Sequence, residues 1–303
     1  YYNDVDYTCY DIGTTGLVLL KFVERAIELE LNPFDDDPGS PTYYEYSEQV
    51  IAAFDYLFGY AAEDGDRIFI DPPCIIDVYS TSIVMMDIAA THDPDRTIST
   101  GALNGETFQY ALNGMMNYTV YAQNIQEGPD PDCDEGGWGY YARHDGTSDQ
   151  SNSGYATLGL GFAEAASEFG LSIPQQVKDR LDVFIGNVQV ASGPYEGGSI
   201  YNSCWVSPDW INVLKTGNLM YELALVGYDE SDERVQDAIS FIETYYFNYG
   251  GNADGAGWRG DYQAMFTMMK GFEAYGIETI EVGGFDINWI RHQLVRERFR
   301  LHS

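Results

Sequence analysis

The chain has 303 residues, of which 48 are Asp or Glu and 15 are Lys or Arg, giving a net charge of −33. That balance excludes an electrostatic grip on nucleic-acid phosphates or anionic lipid and points to neutral, cationic or metal-ion partners. With 45% hydrophobic and 15% aromatic residues the chain can bury a sizeable core, so the acidity belongs to a folded surface. No apolar run approaches the roughly 20 residues of a spanning helix, so no integral membrane segment is expected.

Five segments share one grammar, which predicts a single repeat domain over residues 1–303. Each has a Gly- or Asp-rich loop, a helix that is apolar almost all round, a polar loop and an amphipathic helix. The first runs from Asp11-Ile12-Gly13-Thr14-Thr15-Gly16 through Leu17–Val23, then a loop at 32–41, then a helix near Tyr44–Tyr60. The second starts at Tyr79-Ser80-Thr81-Ser82, continues to Ala90 and returns near Glu106–Gln123. The third places Gly136-Gly137-Trp138-Gly139-Tyr140 before Ser153-Gly154-Tyr155-Ala156-Thr157, with a helix to about Phe169. Its return starts at Pro174, suited to a first helical turn, and carries Val177, Leu181, Phe184, Ile185 and Val188 at helical spacing. The fourth runs from Lys215-Thr216-Gly217 to Val226-Gly227 and restarts after Ser231, an expected N-cap. The fifth starts at Gly257-Trp258-Arg259-Gly260-Asp261, runs Met265–Tyr275 and is expected to return as a helix after Gly283-Gly284 through Ile287, Ile290 and Leu294. Helices apolar all round read as an inner layer and amphipathic ones as an outer layer; spacing alone leaves an open solenoid and a closed ring both standing.

Tyr10–Leu17, Gly136–Tyr140, Ser153–Ala156 and Lys215–Gly217 together resemble the prenyltransferase and squalene-cyclase repeat superfamily, and more narrowly its secreted or surface prokaryotic repeat proteins. Gln189 with Gly193 and Tyr195 is similar to a degenerate form of the Gln-x-x-x-Gly-x-Trp signature of the cyclases. The resemblance implies an all-α fold, an α/α toroid of about five inner–outer helical hairpins around a central cavity. Its chemistry carries over poorly. The nearest match to the Asp-x-Asp-Asp proton donor is Asp4-Val5-Asp6-Tyr7, with Tyr in the last place, and Asp35-Asp36-Asp37 beside Pro38-Gly39 reads as a loop. For a prenyltransferase zinc site, Asp71 precedes Cys74 and Asp130, Asp132 and Asp134 surround Cys133, but His92, His144, His292 and His302 supply no matching partner and read as surface histidines. No cysteine is followed by glycine, so the Cys-Gly-Glu-Gln thioester of the complement-like branch is missing. Phosphate-loop, His-Glu-x-x-His, Gly-x-Ser-x-Gly and Cys-x-x-Cys motifs are missing too, although a glycan-cleaving enzyme needs only two suitably spaced carboxylates.

In a ring of hairpins the cysteine loops emerge at one end, so Cys9 would staple to Cys74 and Cys133 to Cys204, against the alternative of four unrelated thiols. Oxidised cysteines would place the protein outside the cytoplasm, extracellular or on the cell surface. The chain begins at Tyr1 rather than Met, which fits a removed signal peptide or a fragment. Lys21, Asp87 and Glu222 each fall six residues after a repeat threonine and read either as cavity-lining polar groups or as a compensated ion-pair cluster. Trp138, Tyr140, Tyr141, Tyr195, Trp205, Trp210 and Trp258 read as glycan- or cation-stacking rings or as packing residues. Asn117-Tyr118-Thr119 is a glycosylation sequon. No cofactor is expected, except that the acidic loops Asp130–Glu135 and Asp64-Gly65-Asp66 offer calcium-type oxygen ligands without full EF-hand spacing. Residues 291–303 hold four arginines and one glutamate, +3 against −36 for the rest, and form either a docking tail for a neighbouring copy or a charged helix end.

The resulting expectation is a non-catalytic secreted or surface structural or binding module, a homo-oligomer or filament subunit. The alternatives are an enzyme holding an isoprenoid or glycan between carboxylates such as Asp87 and Glu222, and a receptor-like protein-binding domain.

Overall fold

The computed structural model describes residues 8–74, 76–125, 133–143, 148–204, 211–250 and 256–291, with side chains from residue 11 onward. The chain divides into two compact units. The first comprises Tyr1–Asn124, Trp138–Asp145 and Tyr155–Val177; the second comprises Ile125–Gly137, Gly146–Gly154 and Lys178–Ser303.

In the first unit, α1 (Thr8–Glu28) packs on α2 (Ser47–Phe58) and on α3 (Asp77–Ala90). A hairpin of β1 (Ala61–Asp64) and β2 (Arg67–Ile70) lays its second strand against α3 and α4 (Phe108–Ala122). The later turns of α5 (Gln150–Ala165) meet α3 where the Tyr79 and Tyr155 rings lie 4.3 Å apart. Every residue of α3 from Ser80 to Ala90 is buried, as expected of an inner helix covered all round. α1 departs from that expectation. It is amphipathic, with Leu19, Leu20 and Val23 enclosed and Val18 and Ile27 facing water.

In the second unit, α7 (Val213–Val226) is buried continuously from Lys215 to Leu223 and packs on α8 (Glu233–Tyr245) and α9 (Tyr262–Tyr275). α6 (Gln175–Val188) follows Pro174; its residues through Val177 belong to the first unit and the rest to the second, and its predicted stripe of Val177, Leu181, Phe184, Ile185 and Val188 is enclosed. The α8 cap is Asp232, not Ser231: its carboxylate accepts the Arg234 amide, while the Ser231 hydroxyl turns back to Asp229.

The fold is mostly helical, as the all-α reading expects in its coarser form, with two small sheets that it did not include. The last segment contains β3 (Thr279–Val282) and β4 (Phe285–Asn288), antiparallel and joined at Gly283-Gly284. Both glycines have positive φ, 62° and 83°, the geometry of a two-residue hairpin turn, and Ile280 and Val282 alternate inward. Ile287 is therefore on a strand, helix begins only at Trp289, and Leu294 lies outside the described residues. Asp64-Gly65-Asp66 makes the other hairpin turn, and the Asp64 carboxylate is committed to Arg67 at 2.5 Å.

Glutamines tie helix pairs together. Gln189 donates to the Arg234 carbonyl at 2.8 Å and accepts the Arg234 Nε–H at 2.9 Å, holding the start of α8. Gln123 does the same in the first unit, donating at 3.0 Å to the Val177 carbonyl. Only the first of these is legible in the sequence, because the residues after Gln123 depart further from the signature. Among the described residues no helix is long and apolar enough to cross a membrane.

Candidate functional site

The repeat threonines mark a real register. The Thr81 hydroxyl accepts the Ile70 amide at 2.9 Å, and the Thr216 hydroxyl accepts the Ser199 amide at 3.1 Å, so each ties an inner helix to the segment approaching it. Six residues later on α3 and α7 come Asp87 and Glu222, both with no accessible surface, so neither lines a space that admits water in this structure.

Lys21 instead sits on the surface of α1 and pairs with Glu24 at 2.5 Å. Asp87 receives no hydrogen bond at either carboxylate oxygen. Burial, reinforced by the charge of Glu24, holds its proton affinity well above the usual carboxylate range. The first unit therefore contains no Lys21–Asp87 ion pair of the kind a compensated cluster would need.

Glu222 lies in the second unit at the centre of a polar group built from α7 and the first turn of α5. The Gln150 amide donates to Glu222 Oε2 at 3.0 Å, and Asn218 donates at 2.5 Å to the Gln150 carbonyl. The Tyr221 hydroxyl donates to Asn218 Oδ1 at 2.5 Å. Asp149 caps α5, accepting the Ser151 and Asn152 amides at 2.8 and 2.9 Å. Burial pushes the Glu222 carboxyl up to about 8 against the opposing effect of the Gln150 donor. Near the start of α7, burial also brings the Lys215 amine down to about 8, opposed by Asp261. At 0% and 7% exposure both groups are set into the packing of α7 and do not face solvent.

A further carboxyl was not anticipated. Asp77, in the first turn of α3, accepts a short hydrogen bond from the Tyr118 hydroxyl, and the Tyr118 ring stacks on Phe69 at 4.9 Å. Burial raises Asp77 above its ordinary range in spite of the Tyr118 donor, and raises the Tyr118 hydroxyl as well. Tyr118 is also the middle residue of the sequon, within α4. Asn117 uses its Nδ2 to donate to the Asp66 carbonyl at 3.1 Å, and Thr119 is fully buried, its hydroxyl bonded to the Met115 carbonyl at 3.0 Å.

Two of the aromatic candidates are packing residues. Trp138 is fully enclosed and donates its indole N–H to the Thr119 carbonyl at 2.8 Å, and Trp258 is enclosed beside Tyr246 at 5.7 Å. Of the two readings the sequence leaves open, packing describes these two: the indoles plug the layer between helices. Tyr140 and Tyr141 do face water, and Tyr195 is half-buried with its ring 6.0 Å from Tyr245. Trp205 and Trp210 lie outside the described residues.

Cys133 and Cys204 form a disulfide joining the segments that precede α5 and α7. Cys74 is disulfide-bonded as well, and the side chain of Cys9 lies outside the described residues. Cys133, Asp134 and Cys204 bring three ligand-type atoms within 4.8 Å of one another, but with both sulfurs bonded to each other the group offers no thiolate. Asp130 and Asp132 of the acidic loop, and His144, His292 and His302, fall outside the described residues. His92 pairs with Glu168 at 3.1 Å on the surface.

No protein-family model matches the chain, and no curated protein is similar enough to count as a relative.

Proposed function

We propose that the protein is a non-catalytic secreted or cell-surface module of the prenyltransferase-like α/α-repeat kind, serving as a structural or binding subunit in an extracellular assembly. The observation that carries this reading is the Cys133–Cys204 disulfide, which staples the approaches to two successive inner helices, together with a third oxidised cysteine, Cys74. Such bonds persist in oxidising compartments. The enclosure of Asp87 and Glu222 supports the same reading, because a proton donor for an isoprenoid or glycan must reach its substrate, and these carboxyls are sealed by packing. The basic segment 291–303, which beyond Arg291 lies outside the described residues, would supply a cationic patch for the acidic body of a neighbouring copy.

The test is electron microscopy of the protein purified without reductant, with its mass measured in solution alongside. Filaments, lattices or a discrete oligomer are the expected result. A monomer at every concentration that hydrolyses or cyclises a glycan or isoprenoid would overturn the reading.

A further inference from the structure

The Gln150–Glu222 pair has two buried atoms for which no hydrogen bond exists, Gln150 Oε1 and Glu222 Oε1. Both are oxygen acceptors, and they belong to two side chains already joined by the bond from Gln150 Nε2 to Glu222 Oε2 at 3.0 Å. An ionised carboxylate here would leave a charge and two acceptors unsatisfied in a site with no accessible surface, which strongly disfavours the ionised form. One proton removes the whole deficit. A carboxylic acid can donate its O–H to an amide carbonyl while its own carbonyl accepts the amide N–H, and the two orphaned atoms are the pair such a ring joins.

We infer that Glu222 is a carboxylic acid in the folded protein and that its proton, carried on Oε1, is donated to Gln150 Oε1, closing a two-bond ring between α7 and the first turn of α5. No bond to carbon changes; the proton is the one an unfolded glutamate gives to water at neutral pH.

The surroundings favour the acid. The first turn of α5 brings its cap Asp149, held by Ser151 and Asn152; α7 brings Lys215; α9 brings Lys270, paired with Glu273 at 3.0 Å. α8 brings Glu233, Arg234, Asp237 and Glu243, of which Arg234 pairs with Asp182 and Glu243 accepts the Glu281 amide. None of these charges counts among the influences on Glu222, which are burial and the Gln150 amide. The ring is therefore a joint that holds while the proton is present and opens when alkaline pH removes it, whatever the module's larger role.

Carbon-13 resonances of glutamate carboxyls, followed from pH 4 to 10, test this. One resonance should keep the position of the acid form past pH 6 and titrate near 8. It should be missing from Glu222→Gln and, in the wild type, should show a through-space contact to the Gln150 side-chain amide protons, so its identity does not depend on that variant folding. In Gln150→Leu the infrared carbonyl band of the buried acid should move to higher frequency as its hydrogen bonds are lost. Above the midpoint, amide exchange on α7, corrected for its intrinsic pH dependence, should quicken at least tenfold in the wild type. A Glu222 carboxyl that titrates in the ordinary carboxylate range would overturn the inference, as would an acid band unmoved by Gln150→Leu.

Discussion

Gly16 of α1 lies against Asp87 of α3 so closely that a β-carbon at position 16 would stand 3.1 Å from Asp87 Oδ2 and 2.3 Å from Ile83 Cγ2. The glycine lets the two helices meet, and the meeting seals the carboxyl. Gly16→Ala must push Ile83 out of a packed position and should cost about 1–3 kcal/mol, read as a lower urea midpoint. Gly186 on α6 is the contrast, exposed and with nothing nearer its missing β-carbon than Arg234 at 4.0 Å. Gly186→Ala should stabilise by about 0.5–1 kcal/mol through helix propensity alone. Equal effects of the two substitutions would show that α1 and α3 are not in contact here.

Asp87 sets a pH dependence whose sign follows from its environment. Its folded proton affinity is far above that of an unfolded aspartate, whose ordinary value is 3.8. Above that value the unfolded chain has lost a proton that the folded chain keeps, so stability falls as pH rises, by up to about 1.4 kcal/mol per pH unit for one group. Asp77, Asp149 and Glu222 are shifted the same way. The thermal midpoint should therefore be higher at pH 5 than at pH 8. In Asp87→Asn the decline should be shallower, with the variant overtaking the wild type at alkaline pH. Parallel curves for the two proteins would show that Asp87 is ionised in the folded state.

Much of the helical grammar was legible because it rests on local rules. Pro174 and the stripe from Val177 to Val188 announce α6, and counting six residues from Thr81 and Thr216 locates Asp87 and Glu222 correctly. What those carboxyls face was not legible, since Gly16 lies 71 residues from Asp87 and Gln150 lies 72 from Glu222. Burial is made by such distant partners. The β3–β4 hairpin was misread because four alternating residues on each side of Gly283-Gly284 are too few to distinguish a period of 2 from the apolar spacing of a short helix. The tryptophans stay ambiguous for a related reason: an indole beside glycines fits either a stacking ring or a packing residue, and only the distant Thr119 carbonyl, which satisfies the Trp138 N–H in the core, decides between them.

The disulfide makes a quantitative demand. Cys133 and Cys204 are 71 residues apart, and closing a loop of that length removes unfolded-state entropy equivalent to about 4 kcal/mol on the chain-entropy model. Cys133→Ala with Cys204→Ala should lower the urea midpoint accordingly and leave the dependence on denaturant steeper, as the freed unfolded chain exposes more surface. A shift below about 1 kcal/mol would indicate that the second unit holds these segments together without the bond.

The glutamine ties should differ in strength in an order set by burial. Gln123 is fully enclosed, so Gln123→Ala removes both its bond to the Val177 carbonyl and the packing of a buried side chain and should cost about 2–3 kcal/mol. Gln189 is half-buried, and Gln189→Ala leaves Arg234 its ion pair with Asp182 at 3.1 Å and access to solvent, for about 1 kcal/mol. Chemical denaturation of the two variants reads the order directly. If Gln189→Ala proves the more damaging, Arg234 depends on the glutamine carbonyl for its placement, and the start of α8, where the Arg234 carbonyl receives the Gln189 amide, is held from the side chain rather than by its Asp232 cap.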